Sequence, residues 1–281
     1  MGLSDKEFSP AVCFAMNNAS GVVDATSAKL IKSLPLRDRV VIMSIVGILT
    51  LLCWAYLVDM AIDMDKMMSM GMMMEMPVWT ASYFGSMLLM WVIMMIGMMA
   101  PTAIPMALVY AAIYRKAKSE GSVVAPTSIF VSGYLVMWAL FSLFATLAQW
   151  GLNEAALLSP MMVSNSPWFG ASLLIVAGIF QFTQMKDSCL QHCRSPVHFI
   201  SENWRTGSFG AFRMGLEHGI YCIGCCWILM GLLFFGGVMS ILWIAGITLF
   251  VLLEKFLPFG DLGGRVTGGA MIIIGLAILS V

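Results

Sequence analysis

The chain has 281 residues and a formal net charge of zero, with 60% hydrophobic and only 11% charged residues. Soluble domains carry roughly 25% charged residues, so this composition excludes an ordinary soluble domain and predicts a polytopic integral membrane protein. The absence of net positive charge gives no support for nucleic-acid binding. Methionine is the compositional outlier, with 27 residues, and its thioether sulfur is a soft metal ligand.

The apolar runs predict an all-α, polytopic membrane helix bundle with about seven transmembrane helices. Residues 1–36 are mixed polar and are predicted to form a cytoplasmic N-terminal arm, ahead of a transmembrane metal-binding bundle over 37–281. Pro101 and Pro105 interrupt the second run, which predicts either a simple kink or a functional break in that helix. The seven runs cover about residues 39–58, 79–100 with a continuation to 113, 126–150, 168–186, 209–235, 238–254 and 265–281.

The distribution of lysine and arginine predicts the orientation of the bundle. With seven spans, every basic residue except Lys66 falls on the side of the N-terminus. Because cytoplasmic loops carry the excess of positive charge, the N-terminus is predicted to be cytoplasmic and the C-terminus extracytoplasmic. The predicted location is the inner membrane of a bacterium.

A methionine-rich outer loop is predicted at residues 59–78, between the first two spans. Nine of the residues from 59 to 76 are methionine, and carboxylates stand among them. Thioethers bind Cu(I) and survive an oxidising compartment, so Met64, Met68 and Met72 are candidate ligands. The alternative is that these flexible apolar side chains dock the loop on the membrane surface.

One face of the second span continues this pattern. Met94 and Met98 lie on it together with Met87 and Met90, and they are candidate ligands of a soft-metal path. Methionine also fills irregular gaps between helices, so packing is the alternative. Gln149 in the third span is predicted to make a helix–helix hydrogen bond.

Two cysteine motifs follow. On a helix Cys189 and Cys193 are one turn apart, and they could form a Cu(I) or zinc site or could be unrelated. In the fifth span His218, Cys222 and Cys225 stand at i, i+4 and i+7, with Cys226 beside them. Intramembrane thiols and imidazole on one stripe predict a thiophilic metal, most simply Cu(I), although cysteine and histidine also serve in helix packing.

Another feature of the fifth span is an acidic residue next to its histidine. Glu217 lies about 100° around the helix from His218, so it is predicted to pair with Arg213 four residues earlier rather than to join the metal site.

These motifs together resemble those of the predicted metal-binding integral membrane proteins of bacteria, over about residues 80–255. The resemblance implies a helical bundle that binds metal through its Met, Cys and His residues, and it implies no particular reaction. The chain departs from the family pattern at Thr183-Gln184-Met185, where family members tend to have Thr-Pro. The matching residues are Trp91, Met94-Met95, Met98-Met99-Ala100-Pro101, Pro105, Gln181, Lys186, Cys189-Leu190, Cys193-Arg194, Pro196, His218-Gly219, Cys222, Gly224-Cys225-Cys226-Trp227 and Leu229-Met230.

The predicted function is that of a membrane copper(I)-binding protein that handles or delivers copper, for homeostasis or to a membrane cuproenzyme. Its predicted partners are membrane lipid and a cuproenzyme or another protein subunit. No catalytic triad, paired-carboxylate or nucleotide motif favours an enzyme. Two alternatives remain open, a membrane redox enzyme that uses the cysteines and a non-catalytic subunit of a larger complex. Only His218 of the three histidines lies within a span, which excludes paired-histidine haem ligation within the chain.

Overall fold

A computed structural model describes residues 20–70, 78–121, 124–159, 162–257 and 260–280. Within these ranges the regular structure is helical, apart from one isolated antiparallel bridge between Leu158 and Ser164. A 3-10 turn, Ala100–Ala103, joins α3 to α4. The helices are α1 Ser20–Ser33, α2 Leu36–Ser69, α3 Ala81–Met99, α4 Ile104–Ser119, α5 Thr127–Glu154, α6 Pro167–Phe180, α7 Gln184–Arg194, α8 Pro196–Asn203, α9 Gly207–Gly231, α10 Leu233–Gly236, α11 Ile241–Phe256 and α12 Gly260–Leu279.

Several of these helices are compatible with membrane insertion. In the described residues five segments are long and apolar enough to cross a bilayer, and a sixth is obtained if α6 and α7, which meet at a 65° bend, count as one span. Each of the seven predicted runs contains a helix, but α11 has only 16 residues and is about 24 Å long, shorter than the roughly 30 Å hydrocarbon core. The all-helical class is therefore confirmed, whereas the count of seven spans and the orientation of the termini stay predictions.

The N-terminal arm contains a helix that the sequence pattern did not predict. Leu30 and Ile31 of α1 pack against the core formed by α4, α5, α8 and α9, and Leu34 just after α1 is buried. These few apolar positions are too short a series to give a clear helical period, so tertiary contact stabilises this helix. Residues 1–19, including Cys13, lie outside the described residues.

The methionine-rich stretch is helical for much of its length, which corrects the prediction of a loop over 59–78. Helix α2 continues to Ser69 because methionine is a good helix former and no glycine or proline interrupts the stretch before Gly71. Met64 is half-buried on this helix. The backbone of Met68 is helical and its side chain is not described, and Met72 lies outside the described residues.

The break in the second predicted span is a 3-10 turn buried inside the protein. Ala100, Thr102 and Ala103 of this turn are buried. Pro101 and Pro105 lack the backbone N–H groups that would continue the helix, so α3 ends at Met99 and α4 begins at Ile104. Non-helical backbone at membrane depth is tolerated where protein surrounds it, and this turn meets that condition.

Helix α7 is fastened to the end of α11 at two points. The buried Lys186 ammonium donates to the Gln181 amide oxygen and to the Glu254 carboxylate. At the other end of α7, the Arg194 guanidinium donates to the Leu257 carbonyl. Thr183 caps the start of α7 by accepting from the backbone N–H of Lys186. These contacts hold α7, which carries Cys189 and Cys193, against the end of α11.

Helices α5 and α9 make the closest helix–helix contact, and two glycines allow it. A Cβ at Gly215 would lie 2.0 Å from the Phe130 carbonyl oxygen, and one at Gly133 would lie 2.2 Å from the Phe212 carbonyl oxygen. Real side chains cannot approach backbone atoms so closely. The two backbones are therefore in direct contact, as small residues permit in membrane bundles.

We expect Gly215→Ala to separate α5 from α9 and to lower the free energy of unfolding by about 1–3 kcal/mol, the usual cost of overpacking. Gly231→Ala is the matched control, because a Cβ at Gly231 would meet no atom of the described part of the chain within 4 Å. Chemical unfolding in mixed micelles measures both variants. An equal effect of the two substitutions would contradict the close contact.

Candidate metal centre

Four cysteine side chains from two helices come together, three of them buried and that of Cys193 half-buried. The side chain of Cys193 on α7 packs against the core that contains Cys222, Cys225 and Cys226 of α9, and its thiol interacts with those of Cys222 and Cys225. Cys226 lies next to Cys225 and one turn after Cys222 on α9. The three thiols on α9 are fully buried, with 2% exposure or less. The structure thus brings together the two cysteine motifs, which stand about 30 residues apart in the sequence; we call these four side chains the thiol cluster.

The side chains of the thiol cluster do not have the geometry of a metal-binding site. The Cys225 and Cys226 sulfurs donate to the backbone carbonyl of Cys222, at 3.1 and 2.9 Å. Their hydrogen bonds therefore follow the helix, and no group of three or more His, Cys, Asp or Glu side chains in the described part of the chain is arranged to hold an ion. The donor chemistry still fits a soft ion, because thiolates are the preferred ligands of Cu(I).

Three polar side chains surround Cys222, and the sequence analysis did not select them. The Lys255 ammonium donates to Cys222 Sγ at 2.9 Å and to Thr102 Oγ1 at 3.3 Å. The Tyr134 hydroxyl lies 3.3 Å from the same sulfur and donates to the Met99 carbonyl at 2.9 Å. A cation beside a thiol favours its ionised form, which is the form that binds metal.

Two of these three residues had a signal in the sequence. Lys255 stands beside Glu254 at the end of an apolar run, and the charge pattern predicts that it lies in a cytoplasmic loop rather than in a metal site. Thr102 lies between the two prolines of the predicted break. Tyr134 had no signal, since one tyrosine in the middle of an apolar span is ordinary. The break therefore lies beside Cys222, and whether it is a simple kink or a functional bend stays a prediction.

His218 lies one turn before Cys222 on the same buried face, but its ring sits among aromatic side chains. It stacks on Tyr134 with ring centroids 5.4 Å apart, and Phe130 and Phe199 lie at 6.1 and 5.5 Å. Its Nδ1 atom is buried and has no hydrogen-bond partner among the residues that the structure describes. Tyr134 thus stands between the imidazole and the Cys222 sulfur, which it contacts through its hydroxyl.

Three further predicted ligands, Cys189, Met94 and Met98, lie in the same core as the cysteines of α9. Cys189 faces α9 at Gly224, where a Cβ would lie 2.9 Å from its sulfur. Among the described residues, no group of three or more His, Cys, Asp or Glu side chains has the arrangement of a metal site, and nothing else indicates zinc at Cys189 and Cys193. Met94 and Met98 have no exposed surface and belong to the same continuous core as Cys222, Cys225 and Cys226.

The predicted pairing of Glu217 outside the metal site is confirmed. Its carboxylate accepts from Arg213 Nε at 3.1 Å and also from the Arg205 guanidinium at 3.1 Å.

Residues 88–278 match a family model whose description is copper chaperone (PpoB2). This chain belongs to that family. The match covers more than half of the chain and includes α3 from Met90 on, both cysteine motifs and Lys255. The match suggests copper handling and copper binding and supports a copper-related family, whereas the membrane and bacterial parts of the resemblance stay predictions. No curated protein sequence and no solved structure matches the chain.

Proposed function

We propose that this member of the copper chaperone family is a membrane Cu(I) chaperone whose cargo binds at the thiol cluster. The observation that carries the proposal is the meeting of Cys193 with Cys222, Cys225 and Cys226. Two or three thiolates satisfy Cu(I), which tolerates low coordination numbers, and burial limits access of oxidants to the thiols. The Lys255 ammonium offsets part of the negative charge that such a complex carries.

The cargo would reach the thiols along a line of thioethers. Met87, Met90, Met94 and Met98 occupy one buried face of α3, which ends at the turn beside Cys222. The α2 helix runs alongside, with the Trp54 indole donating to the Gly97 carbonyl. Because antiparallel helices rise equally per residue, Met64 of α2 is at the level of Met87 of α3. The methionines at the end of α2 would collect the ion there.

The bilayer is the environment that the helix surfaces favour. Helix α2 exposes a series of large apolar side chains, and only 11% of its most apolar window is buried within the protein. Aliphatic side chains in such numbers are stable against lipid tails. We place the protein in a bacterial inner membrane, from which it delivers copper to a membrane cuproenzyme or serves copper homeostasis. The family match favours this function over a redox enzyme or a subunit without a metal.

Copper loading and transfer test this function directly. The purified full-length protein, reduced and loaded in detergent, is expected to retain Cu(I) through gel filtration and to release it to a stronger Cu(I) chelator. Metal content is measured by mass spectrometry, with Zn(II) as the competing ion in a parallel sample. Retention of no copper, or retention of zinc in preference to copper, would overturn the proposal.

A further inference from the structure

The buried side-chain amide of Gln149 on α5 contacts the sulfur atoms of two methionines. Gln149 Nε2 lies 3.0 Å from the Met162 sulfur and 3.7 Å from the Met87 sulfur. The Trp91 indole donates to the Gln149 amide oxygen at 2.6 Å. Since an indole N–H can only donate, this bond fixes the amide with its NH₂ group towards the sulfurs. The predicted helix–helix hydrogen bond of Gln149 is thus present, and its other end faces two soft ligands.

Met162 is held in an unusual backbone conformation while it makes this contact. Its φ is 56°, in the left-handed region that non-glycine residues rarely adopt. The backbone N–H of Met162 donates to the Ser159 carbonyl at 2.8 Å, and the Met162 carbonyl accepts from Val238. Such strained conformations cluster at ligand sites. The strained segment places a thioether opposite the first methionine of the α3 face.

The surroundings suit a soft monovalent cation. Met87, Met162 and Gln149 have exposures of 9%, 8% and 2%, so water has little access. Two thioethers bind Cu(I) or Ag(I) but have little affinity for hard ions. In the protein without cargo, the amide N–H groups occupy the sulfur lone pairs, and a bound ion would take their place.

We propose that Met87 and Met162 form a second Cu(I) site, separate from the thiol cluster and at the opposite end of the methionine face of α3. The inference rests on the proposed function, since it assigns this site to the entry of the same cargo. Met87 and Met98 are 11 residues apart, or about 16 Å along the helix, so the two sites are distinct. Neutral thioethers leave the charge of the ion uncompensated, so this site binds more weakly than the thiols and can pass the ion on.

The test is a Cu(I) titration of the full-length protein against a competing chelator. The wild type is expected to bind one ion tightly and a second ion more weakly. Met87→Leu/Met162→Leu is expected to lose the weaker ion and keep the tight one. Leucine conserves the volume of methionine, so the fold is expected to be retained. The single variant Met162→Leu, which changes only the connecting segment, is expected to lose the same ion.

Met106→Leu/Met214→Leu is the matched control, because these two methionines are equally buried but lie in a different core cluster. It should bind both ions as the wild type does. A wild type that binds no second ion, or Met87 and Met162 variants that keep it, would overturn the proposal. A wild type that binds no ion tightly would instead contradict the proposed function of the thiol cluster. The two failures are therefore distinguishable.

Discussion

The triple variant Cys193→Ser/Cys222→Ser/Cys225→Ser is expected to lose tight Cu(I) binding. Serine keeps the size of each side chain but replaces a soft thiolate with a hard hydroxyl that Cu(I) does not favour. Loss of direct ligands should exceed the 10–100-fold weakening that removal of an outer-shell partner typically causes, by roughly another order of magnitude. Competition with a Cu(I)-specific chelator measures the affinity, and metal analysis measures the stoichiometry.

Cys53→Ser is the matched control, since Cys53 is a buried thiol of α2 that packs against Gly97 rather than against the thiol cluster. It should bind copper as the wild type does. The single variant Cys193→Ser tests whether the site includes both helices. If it leaves the affinity unchanged, the site belongs to α9 alone. If the triple variant keeps its affinity, the thiol cluster is not the cargo site.

The second large effect is expected at the buried ion pair. Lys186→Met leaves the Glu254 carboxylate buried without its cation, because the two side chains are only 2% and 4% exposed. Breaking such a pair costs about 3–5 kcal/mol, whereas replacing both partners by apolar residues is often neutral. We therefore expect a loss of that size for the single variant and recovery of most of it in Lys186→Met/Glu254→Leu, measured by chemical unfolding in mixed micelles.

Asp63→Asn provides the comparison for this pair. Asp63 and Lys66 form a bridge of 3.0 Å on α2, with side chains 55% and 60% exposed. Exposed pairs contribute little, and the loss should be below about 1 kcal/mol. A double variant at 186 and 254 that is as unstable as the single one would show that the charges themselves, rather than their mutual pairing, are required.

Local features were predictable from the sequence, and the reason is helical geometry. The stripe of His218, Cys222 and Cys225 follows from spacing alone, as does the pairing of Glu217 with Arg213. The end of α2 was not predictable in the same way. A run of methionines between acids is compatible with both a loop and a helix, and only the absence of a helix-breaking residue favoured the helix.

Contacts between distant segments were beyond the sequence patterns. Cys193 meets Cys222 because α6 and α7 are bent by 65° and α7 is fastened to α11, and no spacing rule gives that arrangement. The position of Lys255 at the end of an apolar run predicts a loop residue. Met162 stands in a connecting segment, where a single methionine carries no periodic signal. In each case the decisive information is tertiary.

The glycine contact between α5 and α9 determines which of the two helices that carry the thiol cluster can move. Three of the four sulfurs belong to α9, whose backbone rests directly on α5 and leaves no room for adjustment. The fourth belongs to α7, a short helix that follows a bend, is held by polar bonds at its ends and stacks His192 on Tyr221 of α9. Release of a bound ion is therefore expected to proceed by movement of α7 away from α9, while α9 stays packed on α5.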